Sequence, residues 1–244
     1  MTHTLVTATA DAAAQCAAEH IAGLIAARRL TSDTVHIALA GGATPRRCYE
    51  LLAELLDTWS GVHLWFGDER IVGLDSDDAN AHMVDVALVI PAKIPDDQVH
   101  RVPTALGPSG ACARYEEDLR AALPLSDSGL PQLDIVVLGL GEDAHTASLF
   151  PGSKALLPSG RACALVEDAP KPPPVRVTLT MEMLNAASAR VLLVTGRNKA
   201  TAVLAARSAP DECVPASLLT RAGTTWILDE AAATTLNWKG VPND

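Results

Sequence analysis

The stretch LDIVVLGLGEDAHTASLFPG, residues 133–152, decides how this chain is read. Ile135, Val136, Val137 and Leu138 form an apolar, β-rich run between Asp134 and Gly139. A run that is apolar on both faces fits a central strand buried between helix layers. The character then flips. Gly139 and Gly141 permit a tight turn, and Glu142, Asp143, His145, Thr146 and Ser148 crowd in behind them. Pro151-Gly152 limits any helix there to little more than one turn. In an open α/β sheet the carboxyl end of a buried strand is where ligands gather. His145, beside carboxylates, is a candidate proton carrier; the alternative is a structural histidine in a common glycine turn. GLGEDA also fits the spaced glycines of a dinucleotide loop, but that loop needs a long helix behind it, and Pro151 cuts such a helix short.

The chain has 244 residues, enough for one large α/β domain, and the whole of 1–244 is read as one. Apolar residues make up 48% and aromatics only 3%, so the core is built from Ala, Leu, Val and Ile. The net charge of −10 argues against nucleic acid as a partner. An acidic chain can still bind an anion if it concentrates its few cations locally, which directs attention to each Arg and Lys near a glycine turn. The five cysteines form no C-x-x-C pair and their number is odd, which speaks against a zinc site or a disulfide framework and suits a reducing cytosol. The first residues lack the basic and leucine-rich regions of a signal peptide, and no apolar run approaches a membrane span. The expectation is a cytoplasmic protein with no membrane partner, as a monomer or a homodimer.

Outward from the central stretch, strand and helix signals alternate. Residues 11–29 read as an amphipathic helix with Arg28 and Arg29 in its last turn, and 34–40 as a buried strand. Gly41-Gly42 then offers a turn with exposed amides, Thr44 a helix cap and Pro45 a first helical residue. Such an amino end is a ready anion site, to which Arg46 and Arg47 add charge; a plain strand–turn–helix junction is the other reading. Residues 63–66 read as a strand followed by Asp68, Glu69 and Arg70, either a solvated turn or a pair, Asp68 and Arg70, facing the same cleft. Residues 75–78 form an acidic turn, with Asp78 capping a helix from Ala79. A short strand at 99–102 and a helix at 109–123 lead to the linker at 124–131. Beyond the central stretch come a strand at 162–166, the stiff segment APKPPP at 169–174 and a strand at 175–180. In that last strand Arg176 alternates with apolar residues, which places its guanidinium on the face opposite the buried one. A short helix at 181–187 and a strand–glycine–helix unit at 191–204 follow, with Asn198 as cap. Lys199 falls in the first helical turn, against the dipole, so either an anion offsets the penalty or the side chain is solvated. A short helical piece at 215–219 and a strand at 224–228 end the series. The pattern is that of an α/β fold, a mostly parallel open sheet with helices on both faces.

GGATPRRCYE at 41–50, LWFGDERIVGLDSDDAN at 64–80 and the central stretch together resemble the 6-phosphogluconolactonase family. PPPVRVTLTMEMLNAA at 172–187, VTGRNKA at 194–200 and VPASLL at 214–219 complete the likeness, in order, over about residues 38–219. The resemblance implies the sugar-phosphate isomerase/deaminase-like fold and hydrolysis of 6-phospho-D-glucono-1,5-lactone in the oxidative pentose phosphate pathway, with no cofactor and no metal. It implies His145 as catalytic base, Arg176 and Lys199 as phosphate holders, and the Gly41, Gly42, Thr44 loop with Arg46 nearby as the phosphate cradle. Ala144 stands where the family usually has glycine, and alanine at positive φ costs on the order of 1 kcal/mol. On this reading Asp143 or Asp68 orients the imidazole, and Arg70 or the glycine-turn amides meet the oxyanion. Two rivals remain. One is a glucosamine-6-phosphate deaminase-like enzyme, against which Arg70 and the HTASLFP continuation argue. The other is a non-catalytic sugar-phosphate sensor domain, which would need a DNA-binding head.

Overall fold

A computed structural model of the chain describes residues 3–157 and 159–236. Six parallel strands form the main sheet: β1 (His3–Thr7), β2 (Val35–Leu39), β3 (Val62–Phe66), β5 (Ile135–Leu138), β8 (Ala189–Val194) and β9 (Thr224–Asp229). Their order is β1-β9-β8-β5-β2-β3. A second sheet of three antiparallel strands holds β4 (Asp68–Arg70), β7 (Arg176–Leu179) and β6 (Cys163–Val166), in that order. The helices are α1 (Ala10–Arg29), α2 (Ala43–Leu55), α3 (Asn80–Val84) and α4 (Ile90–Ala92) joined by a π turn, α5 (Gly107–Ala122), α6 (Met181–Ala186) and α7 (Ala200–Ala206).

The expected central strand is central. Every residue of β5 is buried, as is every residue of β2 beside it. After β2 the chain moves outward to β3; after β5 it moves the other way, to β8 and β9. The strand order therefore reverses between β2 and β5, and a crevice opens beyond their carboxyl ends. Two tyrosines hold strand ends as the chain leaves the sheet. The Tyr49 hydroxyl accepts from the Ala40 amide at 2.9 Å and donates to the Ala40 carbonyl at 3.0 Å. Tyr115 does the same at Phe66, at 2.8 and 3.0 Å. Gly67 joins the sheets: its amide donates to the Leu39 carbonyl and its own carbonyl accepts from the Leu179 amide.

Several local expectations give way to tertiary pairing. The strand β1 has no counterpart in the sequence reading; short and at the sheet edge, it carries little burial signal. Asp68–Arg70 is no solvated turn but a strand, with Glu69 fully buried. Asp78 does not cap α3. The Glu69 carboxylate takes that part, accepting from the amides of Arg70, Asn80 and Ala81 at 2.7, 2.8 and 2.7 Å. α2 begins two residues earlier than expected, with Gly42 at φ 109° as its cap and Thr44 inside the first turn. Asn198 likewise lies in a short 3-10 turn, Arg197–Lys199, that leads into α7 with Lys199 at the cap position. The 99–102 segment makes one bridge, Val99 to Leu64, rather than a strand. All four residues of β7 are buried, Arg176 included, because the strand is the middle of its sheet.

Candidate active site

A cleft of about 340 Å³ occupies the crevice beyond β2 and β5. The loops after β2, β5 and β8 form one side, through Gly41, Gly42 and Thr44, then Gly139, Gly141 and His145, then Thr195 and Lys199. The small sheet supplies Asp68, Arg70 and Arg176, and the proline-rich segment supplies Lys171. Thr44 and Thr195 meet across the loops with hydroxyl oxygens 3.3 Å apart.

The turn carrying His145 is tightly specified. The Gly141 amide donates to the His145 carbonyl at 2.8 Å, and the Ala144 amide to the Gly141 carbonyl at 3.0 Å. Ala144 sits at φ 62° and Ala147 at φ 48°, so no helix forms here at all. The Ala144 carbonyl accepts from the Ala216 amide at 3.0 Å, which braces the turn from the 214–219 segment. A Cβ on Gly141 would collide with the His145 ring and the Asp143 carboxylate, so this glycine is required by close approach. His145 Nδ1 lies 2.5 Å from Asp143 Oδ1. A carboxylate only accepts, so Nδ1 carries the proton and Nε2 holds the lone pair. Burial pulls the imidazole below its ordinary 6.5, against the opposing pull of Asp143. Burial alone would raise the Asp143 carboxyl; its hydrogen bond and charge interaction with His145 prevail and hold it below the ordinary 3.8. The imidazole is therefore neutral at pH 7.

Asp68 is engaged elsewhere. Its Oδ2 accepts from the Ser148 hydroxyl at 2.6 Å and its Oδ1 from Asn80 Nδ2 at 3.2 Å. Ser148 in turn accepts from Arg176 NH1 at 3.3 Å, and Arg176 also donates to the carbonyls of Pro173 and Lys171 at 3.0 and 2.7 Å. Arg176 stands over the Phe150 ring at 5.5 Å, and the His145 ring lies 4.4 Å from that same phenyl. Across the antiparallel pair, Arg176 is opposite Arg70. Like charges so placed repel unless an anion or a carboxylate lies between them. Burial lowers both Arg176 and Lys199 from their ordinary values. Desolvated cations of this kind gain most from an anionic ligand.

A family model described as "Glucosamine-6-phosphate isomerases/6-phosphogluconolactonase" matches residues 8–227. The chain belongs to this family. It is 38% identical over 205 residues to a 6-phosphogluconolactonase of Nostoc sp., covering 82% of this chain and 84% of that one. It is 37% identical over 235 residues to the 6-phosphogluconolactonase of Mycobacterium tuberculosis, covering 93% and 95%. Among solved structures, the 6-phosphogluconolactonase from Trypanosoma cruzi superposes with a TM-score of 0.86 at 30% identity, over 98% of each chain.

For this member of the family, the fold brings His145, Asp68, Arg70, Gly41, Gly42, Thr44, Arg176 and Lys199 to one cleft. Asp143 reaches it through His145. Arg46 does not line it: half-exposed, it faces Glu50 at 3.4 Å, one helical turn on. Sequence reasoning passed over Lys171, Asn80, Ser148 and Thr195. Lys171 was hidden in a segment read only for its stiffness. Asn80 and Ser148 act through long-range partners that no spacing reveals. Among the described residues no group of three or more His, Cys, Asp or Glu is placed to hold a metal ion, and no helix is long and apolar enough to cross a membrane.

Proposed function

We propose that the chain hydrolyses 6-phospho-D-glucono-1,5-lactone to 6-phospho-D-gluconate, with His145 as general base. The observation that carries this reading is that a neutral imidazole, oriented by Asp143, lines the same cleft as Arg70, Lys171, Arg176 and Lys199. Relatives named 6-phosphogluconolactonase over most of the chain support it.

A δ-lactone is an activated ester, so positioning and one proton shuttle suffice. Nε2 of His145 takes a proton from water as the oxygen attacks C1. Asp143 steadies the imidazolium that results. Negative charge gathers on the former carbonyl oxygen and calls for a fixed donor. Arg70, which lines the cleft, is a candidate; amides of the glycine turns are the other. His145 then returns the proton as the ring oxygen leaves. The phosphate does no chemistry. Arg176, Lys199, Lys171 and the amides after β2 hold it and so fix the distance to the lactone carbon. Arg46 is left out of this set.

The test is a coupled lactonase assay corrected for spontaneous ring opening. His145→Ala lowers kcat by about 100-fold or more, while Arg176→Ala mainly raises KM. An unchanged kcat in the histidine variant rejects the role of His145, and no turnover by the parent chain rejects the activity.

A further inference from the structure

By sequence the five cysteines stand apart, yet the fold brings two of them together. Helix α5 packs directly on β6, and Cys112 Sγ lies 3.9 Å from Cys163 Sγ. The two thiols differ in setting. Cys163 is fully buried, with Sγ 3.3 Å from the Cys112 carbonyl and 3.5 Å from Glu116 Oε2. Both are acceptors, so its proton is held. Both residues border a surface cleft of about 320 Å³, which Ser109, Ser159 and Arg161 also line, and Cys112 is the more exposed of the two, at 7% against 1%. Cys112 donates its S–H to Cys163 Sγ, and the positive charge of Arg161 favours its thiolate. A thiol beside a cation and next to a second sulfur is the arrangement that oxidants find first.

We propose that Cys112 and Cys163 form a peroxide-responsive thiol pair, in which Cys112 attacks a small hydroperoxide and Cys163 resolves the product to a disulfide. In the first step the Cys112 thiolate displaces hydroxide from hydrogen peroxide: an S–O bond forms, the O–O bond breaks, and the hydroxide takes up a proton as water. In the second step the Cys163 sulfur attacks the sulfenic sulfur of Cys112. The S–S bond forms, the S–O bond breaks, and the hydroxyl leaves as water with the Cys163 proton. Two thiols lose two electrons and one peroxide becomes two waters. The sulfurs must approach by about 2 Å to reach bonding distance, a movement on the scale of side-chain rotation. The bridge ties α5 to β6, the strand that pairs with β7. Cys163 is opposite Leu179, whereas Arg176 is opposite Val166 at the other end of that ladder. The cleft that holds His145 lies outside the staple, so turnover survives oxidation.

The experiment treats a Cys213→Ser protein with hydrogen peroxide, which removes the exposed thiol as a competitor. The protein is then denatured, alkylated and mapped by mass spectrometry. The expected result is one disulfide-linked peptide joining Cys112 and Cys163, lighter by two hydrogens, reopened by dithiothreitol, with the lactonase rate unchanged. In a Cys163→Ser variant, dimedone labels Cys112 as a trapped sulfenic acid. Full alkylation of both cysteines after peroxide, or dimedone labelling of Cys163 rather than Cys112 in the parent chain, overturns the proposal. The parent-chain map decides the matter even if Cys163→Ser fails to fold.

Discussion

Asp143 and Ala144 flank the reactive imidazole and act on it in different ways. Asp143 raises the His145 pKa that burial lowers. Asp143→Asn removes that opposition, so the acid limb of kcat/KM, set by protonation of His145, moves to lower pH. The plateau also falls, by about 10- to 100-fold, because an amide no longer fixes the ring. Measured pH–rate profiles check both; a limb that moves to higher pH contradicts the assignment. Ala144, at φ 62°, carries a cost that glycine does not. Ala144→Gly relieves it but adds freedom to the unfolded chain. The net expectation is a gain of about 0.5–1 kcal/mol in urea unfolding, with His145 and its activity retained.

Among the elements, the joint between β4 and α3 brings a buried carboxyl to the cleft edge. Glu69 is fully buried and holds the first amides of α3, while its neighbours Asp68 and Arg70 line the cleft. Burial pushes its carboxyl up to about 7, although three amides favour the charged form. Its ordinary value is 4.5. Between these limits the folded chain keeps a proton that the unfolded chain has lost. The stability tied to that proton is full below about 4.5 and is lost as pH rises through about 7. Glu69→Gln is neutral throughout, so its urea midpoint changes less than that of the parent across this window. An equal change in both proteins assigns the pH dependence to other groups. The variant is also less stable at every pH, since an amide offers one acceptor oxygen where three N–H groups need two.

At the scale of the molecule, a chain of net charge −10 gathers Arg70, Lys171, Arg176 and Lys199 around one crevice. Two sheets of different origin meet there, and a ligand that touches both stabilises their docking. 6-Phosphogluconate, the expected product, should raise the melting temperature, with about 2.7 kcal/mol of added stability at 100 times its dissociation constant. Gluconate without the phosphate should give no such shift at the same concentration, and Arg176→Ala should lose it. Equal stabilisation by both ligands would remove the phosphate from the argument.

The sequence by itself determined the alternation of strands and helices, the burial of β5 and β2, and the glycine turns that carry His145 and the amides after β2. These are local matters: an apolar run, a glycine where the backbone must turn, a proline where a helix must end. Asp143, two residues from His145, was legible for the same reason, although Asp68 was an equal candidate on the page. Only the tertiary structure separated them, by giving both oxygens of Asp68 to Asn80 and Ser148. It also turned the charged triplet Asp68–Arg70 into a strand, set Arg70 opposite Arg176, brought Lys171 to the cleft and left Arg46 beside Glu50. Each of these depends on strand register or on contacts between segments tens of residues apart. The period of a sequence reports which face is buried; it does not report what that face is buried against.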